Sequence, residues 1–301
     1  MVRKALVTLS FDCEAKWGMA DDNSNWLNLI NNDSVISSYL WILNLLNEYN
    51  LPATFAFVGG MTDSRNEFLS NIENHIDCPV YSKWFLPIMN KLENEEGWFF
   101  PKMLGVFEKY PKHEIASHGY THIPFNRFNS SEIFYELDLI QNWAKRKKKK
   151  IETFIYPRNI VAYEELLSKY KIHLFRGGVV KKNIHLNKIL TIFNEFNLFQ
   201  KSHTINPRAR SLPSGVFLNW QYGYRKLIPI GLSITKYNNM INHAIKTNKS
   251  VHFWFHPHNL ISAPKTKILF SNLCKIIRDK VSDGLVDVFR QKDFLRKIKS
   301  K

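Results

Sequence analysis

Ala5-Leu6-Val7-Thr8-Leu9-Ser10-Phe11-Asp12-Cys13-Glu14 runs apolar for most of its length and then stops on two carboxylates. A short apolar run of this kind reads as a strand buried on both faces of a parallel sheet. Residues two apart on a strand point the same way, so Asp12 and Glu14 can face one pocket while Cys13 points away. Carboxylates at the end of a barrel strand lie on the rim where such folds do chemistry.

The pattern repeats along the chain. Residues 53–58, 151–156, 251–255 and 286–289 are similar runs, and 114–117 is a weaker one. Helical spacing lies between them. Val35, Ile36, Leu40, Leu43 and Leu46 recur before Pro52. Ile133, Leu137 and Ile140 recur after Ser130 and Ser131, either of which suits an N-cap. Further helices are predicted over 163–170, 237–247 and 265–281. Alternating strands and helices imply an α/β fold with a parallel sheet, and at 301 residues a (β/α) barrel is favoured over an open sheet. Residues 62–112 and 181–230 break the alternation and read as insertions that shape a cleft. Neither resembles a linker, so residues 1–301 are expected to form a single domain.

Composition excludes several classes. With 45% hydrophobic residues the chain is globular, not disordered. No stretch approaches the roughly 18 apolar residues of a membrane span. The first ten residues lack a secretory pattern. Three cysteines, Cys13, Cys78 and Cys274, do not make a disulfide framework. A cytoplasmic location is the expectation. The net charge of +16 favours anionic partners, and residues 145–150 are six consecutive cations. That run reads first as a solvated helix end and second as a docking patch for an anionic membrane or a phosphorylated substrate. No aromatic-interleaved basic motif accompanies it, so nucleic acid is not the expected partner.

Three more segments carry chemistry. Glu114-Ile115-Ala116-Ser117-His118-Gly119-Tyr120-Thr121-His122 places two histidines four apart after a strand. Within a single helical turn they can present both imidazoles to one metal ion, and a carboxylate from another strand end can complete a site with open positions. Val251-His252-Phe253-Trp254-Phe255-His256-Pro257-His258 ends a strand on histidines. Here His256 can supply a proton near neutral pH, His258 competes for that role, and His252 reads as a core residue. Arg158 and Arg176 follow strand candidates and can orient a carboxylate, bind phosphate, or form structural ion pairs.

In this order the motifs resemble the polysaccharide deacetylase family, also called carbohydrate esterase family 4 or the NodB homology domain. The resemblance rests on Ser10-Phe11-Asp12-Cys13-Glu14, on Glu114–Ser117 with His118 and His122, and on residues 251–256. The ending resembles a branch with an Asp-x-Glu first motif. The resemblance implies a distorted (β/α) barrel and a divalent metal, commonly zinc. By it, Asp12 is the general base, His118 and His122 are ligands, and His256 is the general acid. The third ligand is Glu14, or else Cys13 as thiolate, because Cys13 replaces the usual second Asp. The usual arginine position holds Ile155, so Arg158 or Arg176 is left to hold Asp12. The implied reaction is removal of an N-acyl group, acetyl first, from an amino sugar. Compartment and charge suggest a nucleotide- or lipid-phosphate-linked sugar. The rival readings are a deformylase of the same fold, a non-catalytic glycan-binding module and a nucleic-acid-binding protein.

Overall fold

The computed structural model describes residues 4–20, 28–73, 84, 95–178, 196–198 and 210–294. Among these residues nine strands form one parallel sheet: β1 (Ala5–Cys13), β2 (Thr54–Phe57), β3 (Glu114–Ser117), β4 (Thr153–Phe154), β5 (Leu174–Arg176), β6 (Ser211–Leu212), β7 (Val216–Phe217), β8 (Ser250–Phe255) and β9 (Val286–Val288). Their order is β6-β5-β4-β3-β2-β1-β8-β7. Strand β9 pairs with the first half of β1, and β2 pairs with the second half. The two end strands, β6 and β7, are separated by only residues 213–215. So short a link spans roughly 15 Å at most, so the sheet must curl until its edges nearly meet. This is the expected distorted (β/α) barrel. It is bridged at the seam by chain, and no hydrogen-bonded pairing closes β6 on β7 among the described residues.

Alternation along β1 decides what lies on each face. Ala5, Val7, Leu9, Phe11 and Cys13 all join the main apolar core beneath the helices. Phe11 stacks on Phe55 at 4.5 Å and meets Phe255 and Phe270 edge-on. The other set, Thr8, Ser10 and Asp12, is buried on the opposite face, inside the curl. Strand β8 repeats the division. Val251, Phe253 and Phe255 enter the core, while His252 and Trp254 face inward.

The outer helices are α1 (Asn32–Glu48), α2 (Arg65–Glu73), α3 (Met103–Phe107), α4 (Ser130–Arg146), α5 (Glu164–Lys169), α6 (Ile230–Thr247), α7 (Asn259–Ser262) and α8 (Lys265–Ser282). Helices α2 and α3 are the described part of the first insertion. In the second, residues 181–195 and 199–209 lie outside the described residues. Its remainder supplies β6 and β7, two short strands where the sequence reads as irregular.

The predicted N-cap of α4 needs correcting. Asn129, not Ser130 or Ser131, is the cap. Its side chain accepts from the Glu132 N–H at 3.0 Å, and Glu132 accepts from the Asn129 N–H at 2.8 Å. This reciprocal box satisfies two orphan donors at once, which neither serine could do with the helix starting at Ser130. The histidine segment also differs from expectation. Residues 118–122 form no helical turn, and Gly119 and His122 both take positive φ, 84° and 61°.

Candidate active site

The ends of β1, β3 and β8 open into a cleft of about 390 Å³. Asp12, Glu14, His118, His122, Arg158, Asn159, His256 and His258 line it, together with Phe217, Trp220, Arg225 and Trp254. Of the residues given a catalytic, metal-ligand or substrate-binding role from the sequence, all but Arg176 and the alternative ligand Cys13 are on that wall, and Arg176 lies directly behind Asp12.

Glu14 sits at the centre. Its Oε2 is 3.1 Å from His118 Nε2 and 2.8 Å from His122 Nε2, and its Oε1 is 3.2 Å from His256 Nε2. The backbone makes room for it at Gly18, where a Cβ would collide with the Glu14 side chain. Burial by itself would raise the Glu14 carboxyl. The surrounding histidines overcome that and hold it well below the usual carboxylate range. Cys13 cannot share this position. Its thiol lies in the core, 3.5 Å from the Phe11 carbonyl oxygen, and burial pushes its pKa well up.

The two histidines are oriented as ligands would be. His118 Nδ1 lies 2.8 Å from the Ile155 carbonyl, so it carries the proton and leaves the Nε2 lone pair aimed at Glu14. His122 is buried, and burial pushes it down to about 4, so it is neutral at pH 7. Its Nε2 faces Glu14 at 2.8 Å without making a hydrogen bond. An orphaned imidazole nitrogen, a second imidazole nitrogen and a carboxylate oxygen converge here, buried together. Lone pairs that converge on one point suit a shared cation, and this donor set is that of a catalytic divalent ion such as zinc. A second group, Glu14 with His256 and His258, also lies within ligand range.

Asp12 faces the same cleft from one residue pair earlier. The Arg176 guanidinium donates to both its oxygens, at 2.7 and 2.6 Å. Burial acts most strongly, to raise Asp12, but Arg176 together with His118 and His256 overcomes it and the net shift is downward. Arg176 also donates to Asn159 Oδ1 and lies 4.3 Å over the Trp254 ring. Sequence reading leaves Arg158 and Arg176 equal as holders of Asp12, and the arginine on Asp12 is Arg176. It is the last residue of β5 and does not follow the strand. Arg158 lines the cleft in a left-handed conformation, φ 61°.

His256 is the more open of the two late histidines, with its side chain 21% exposed. Its Nδ1 is 3.3 Å from Asn259 Oδ1. His258 stacks on it, with ring centres 5.0 Å apart. Burial and the His256 charge push His258 down to about 3, too low to carry a proton at neutral pH. His252 lies deeper, as a core residue should, but it is wired to the site. Its Nε2 accepts from the Ser10 hydroxyl at 2.8 Å, and its Nδ1 reaches the Pro213 carbonyl at 2.9 Å. Sequence reading missed Asn159, Asn259, Phe217, Trp220 and Arg225. Asn159 and Asn259 adjoin the motifs already quoted. The other three lie in the second insertion, where no periodicity marks them.

The sequence profile of the polysaccharide deacetylase family matches residues 29–160. Over that stretch the chain is similar in sequence to the polysaccharide deacetylases. This match takes in His118 and His122 but begins after Glu14 and ends before Arg176 and His256. No curated protein matches the chain. Among solved structures, one assigned as a polysaccharide deacetylase of Mycobacterium smegmatis is 14% identical, covering 100% of this chain and 92% of its own, with a TM-score of 0.56. A family 4 carbohydrate esterase of Streptomyces lividans, in complex with acetate, is 10% identical over 94% of this chain and 91% of its own, TM-score 0.46. A family 4 pseudoenzyme of Bacillus anthracis is 13% identical over 98% of this chain and 66% of its own, TM-score 0.46. At these identities the Mycobacterium structure supports the fold, here the curled parallel sheet of the deacetylase family.

Among the described residues no helix is long and apolar enough to cross a membrane. The basic run closes α4, and much of it is paired. Arg146 and Lys147 both reach Asp63, Lys149 reaches Glu108 and Lys150 reaches Glu152. The helix-end reading accounts for these contacts.

Proposed function

We propose that this chain is a metal-dependent hydrolase that removes an N-acyl group, acetyl first, from an amino sugar, acting as one catalytic domain. The observation that carries this reading is the meeting of Glu14, His118 and His122 beside an arginine-held Asp12 and a cleft-facing His256. A divalent ion held by Glu14, His118 and His122, zinc by its donors, would polarise the acyl carbonyl and acidify a bound water. Asp12 takes the proton of the attacking water, and Arg176 keeps Asp12 ionised and fixed in direction. The His256 ring turns one nitrogen to Asn259 and the other to the cleft, so it can give a proton to the departing sugar nitrogen. His258, buried and neutral, supports that ring by stacking. The products are an amino sugar and a small carboxylate.

The reading extends to a sugar bearing phosphate, linked to a nucleotide or a lipid, handled in the cytoplasm with peripheral contact to an anionic membrane. Supporting it are the +16 net charge and the presence of Arg158 and Arg225 on the cleft wall. The decisive experiment incubates the metal-free and zinc-loaded protein with phosphate-linked N-acetyl sugars and with neutral chito-oligosaccharides. Acetate release that needs zinc supports the hydrolase. Release of formate from N-formyl substrates alone makes it a deformylase. Preference for neutral oligosaccharides removes the phosphate-linked assignment, and no acid released from any substrate rejects the enzyme.

A further inference from the structure

The chain between the two histidines is held by a side chain outside every motif. Glu136 lies in the second turn of α4, 2% exposed. Its Oε1 accepts from the Tyr120 N–H at 2.5 Å and the Thr121 N–H at 2.9 Å, and its Oε2 accepts from the Thr121 hydroxyl at 2.8 Å. The opposite side of the segment is tied to different elements. Gly59 and Gly60 donate to the carbonyls of Gly119 and Tyr120, at 2.9 and 2.8 Å, and the Trp84 indole donates to that of Thr121 at 3.0 Å. The Tyr120 hydroxyl donates to Asp63 at 2.8 Å. Gly119 passes so close to Glu136 that a Cβ there would lie 2.9 Å from Oε1, and it takes a positive φ.

We propose that Glu136 is the positioning residue of the histidine pair. No helix holds residues 118–122, so nothing within the segment sets the spacing of the two imidazoles, whose centres are 4.9 Å apart. A single carboxylate that gathers two consecutive backbone N–H groups does that work from outside. It fixes the peptide planes of residues 120 and 121, and so the direction in which His122 leaves the chain at φ 61°. This assignment rests on Glu14, His118 and His122 being the ligand set. Outer groups that orient ligands typically change metal affinity about 10–100-fold when removed.

The protein carries its own control. Glu114 is an equally buried carboxylate at the other end of β3, accepting from Thr54, Thr153 and the Lys292 N–H. It is remote from the histidines, at the start of the strand. The test measures zinc affinity by chelator competition, the visible spectrum of the cobalt-loaded protein, and the melting temperature of the metal-free protein. These are measured for Glu136→Ala, Glu136→Gln, Thr121→Val and Glu114→Ala. Glu136→Ala is expected to weaken zinc binding at least tenfold and alter the cobalt spectrum. Glu136→Gln retains an acceptor for both N–H groups and should stay within about threefold of wild type. Thr121→Val should give a loss between the two. Glu114→Ala should lower the melting temperature and leave affinity unchanged. If Glu136→Ala and Glu114→Ala both melt early yet bind zinc like wild type, the proposal is overturned. Should Glu136→Ala fail to fold, wild-type affinity in Thr121→Val overturns it instead. Weak zinc binding by the Glu14→Gln variant alone would keep the ligand set and still allow Glu136 to be rejected.

Discussion

Arg176 grips Asp12 through both carboxylate oxygens at the wall of the cleft, with both side chains essentially fully buried. The pair lies one strand-residue repeat away from the Glu14 cluster. It keeps a carboxylate ionised that burial would otherwise neutralise.

Arg176→Lys keeps a charge and loses the two-pronged grip. Asp12 must be ionised to accept a proton, and Arg176 lowers its pKa. Weakening the grip therefore moves the acidic limb of kcat/KM to higher pH. A pH–rate profile that stays in place would show that Arg176 does not set the state of Asp12. Arg176→Ala leaves a buried charge unpaired and should destabilise the fold by about 3–5 kcal/mol, read from denaturant melts.

Asp12→Asn preserves shape and removes the proposed base. The variant should bind zinc as wild type does, measured by metal content, and lose nearly all acid release. Turnover at the wild-type rate would remove Asp12 from the chemistry.

Two candidate ligand sets share Glu14, and variants separate them. His118→Ala and His122→Ala should each weaken zinc binding strongly, while His258→Ala should leave it near wild type. The opposite order, measured by titration with a competing chelator, would move the ion to the side of His256.

Acid stability has a component away from the site. His113 is half-buried against Phe55, and burial, with the charges of Lys112 and Arg290, pushes it down to about 4. Its folded pKa is below its unfolded value of about 6.5, so the unfolded chain binds more protons between these limits. Stability from this group is therefore complete above pH 6.5 and falls as pH drops to about 4, by roughly 3 kcal/mol in all. His113→Phe should melt close to wild type at pH 7.5 and later than wild type at pH 4.5. Parallel melting curves at both pH values would show that His113 titrates normally.

Much of this site was legible in one dimension because strand ends advertise themselves. An apolar run that stops on Asp12 and Glu14, or on His256, places those groups at a sheet rim wherever the strands lie. The histidine pair was visible too, although its conformation was misread. Gly119 and Pro124 discourage a helix, and the backbone donors of residues 120 and 121 go instead to Glu136, sixteen and fifteen positions away in the chain. Periodicity carries no record of such a bond.

The sequence by itself determined the alternation of strands and helices, the shared facing of Asp12 and Glu14, and the residue types able to hold a metal. These follow from local rules of side-chain direction and burial. Only the tertiary structure decided which arginine meets Asp12, that Glu14 and not Cys13 faces the imidazoles, and that Phe217, Trp220 and Arg225 join the cleft. Those choices depend on how far the sheet curls and on which strand lies beside which. These are long-range packing outcomes, which a count of residues along the chain does not encode.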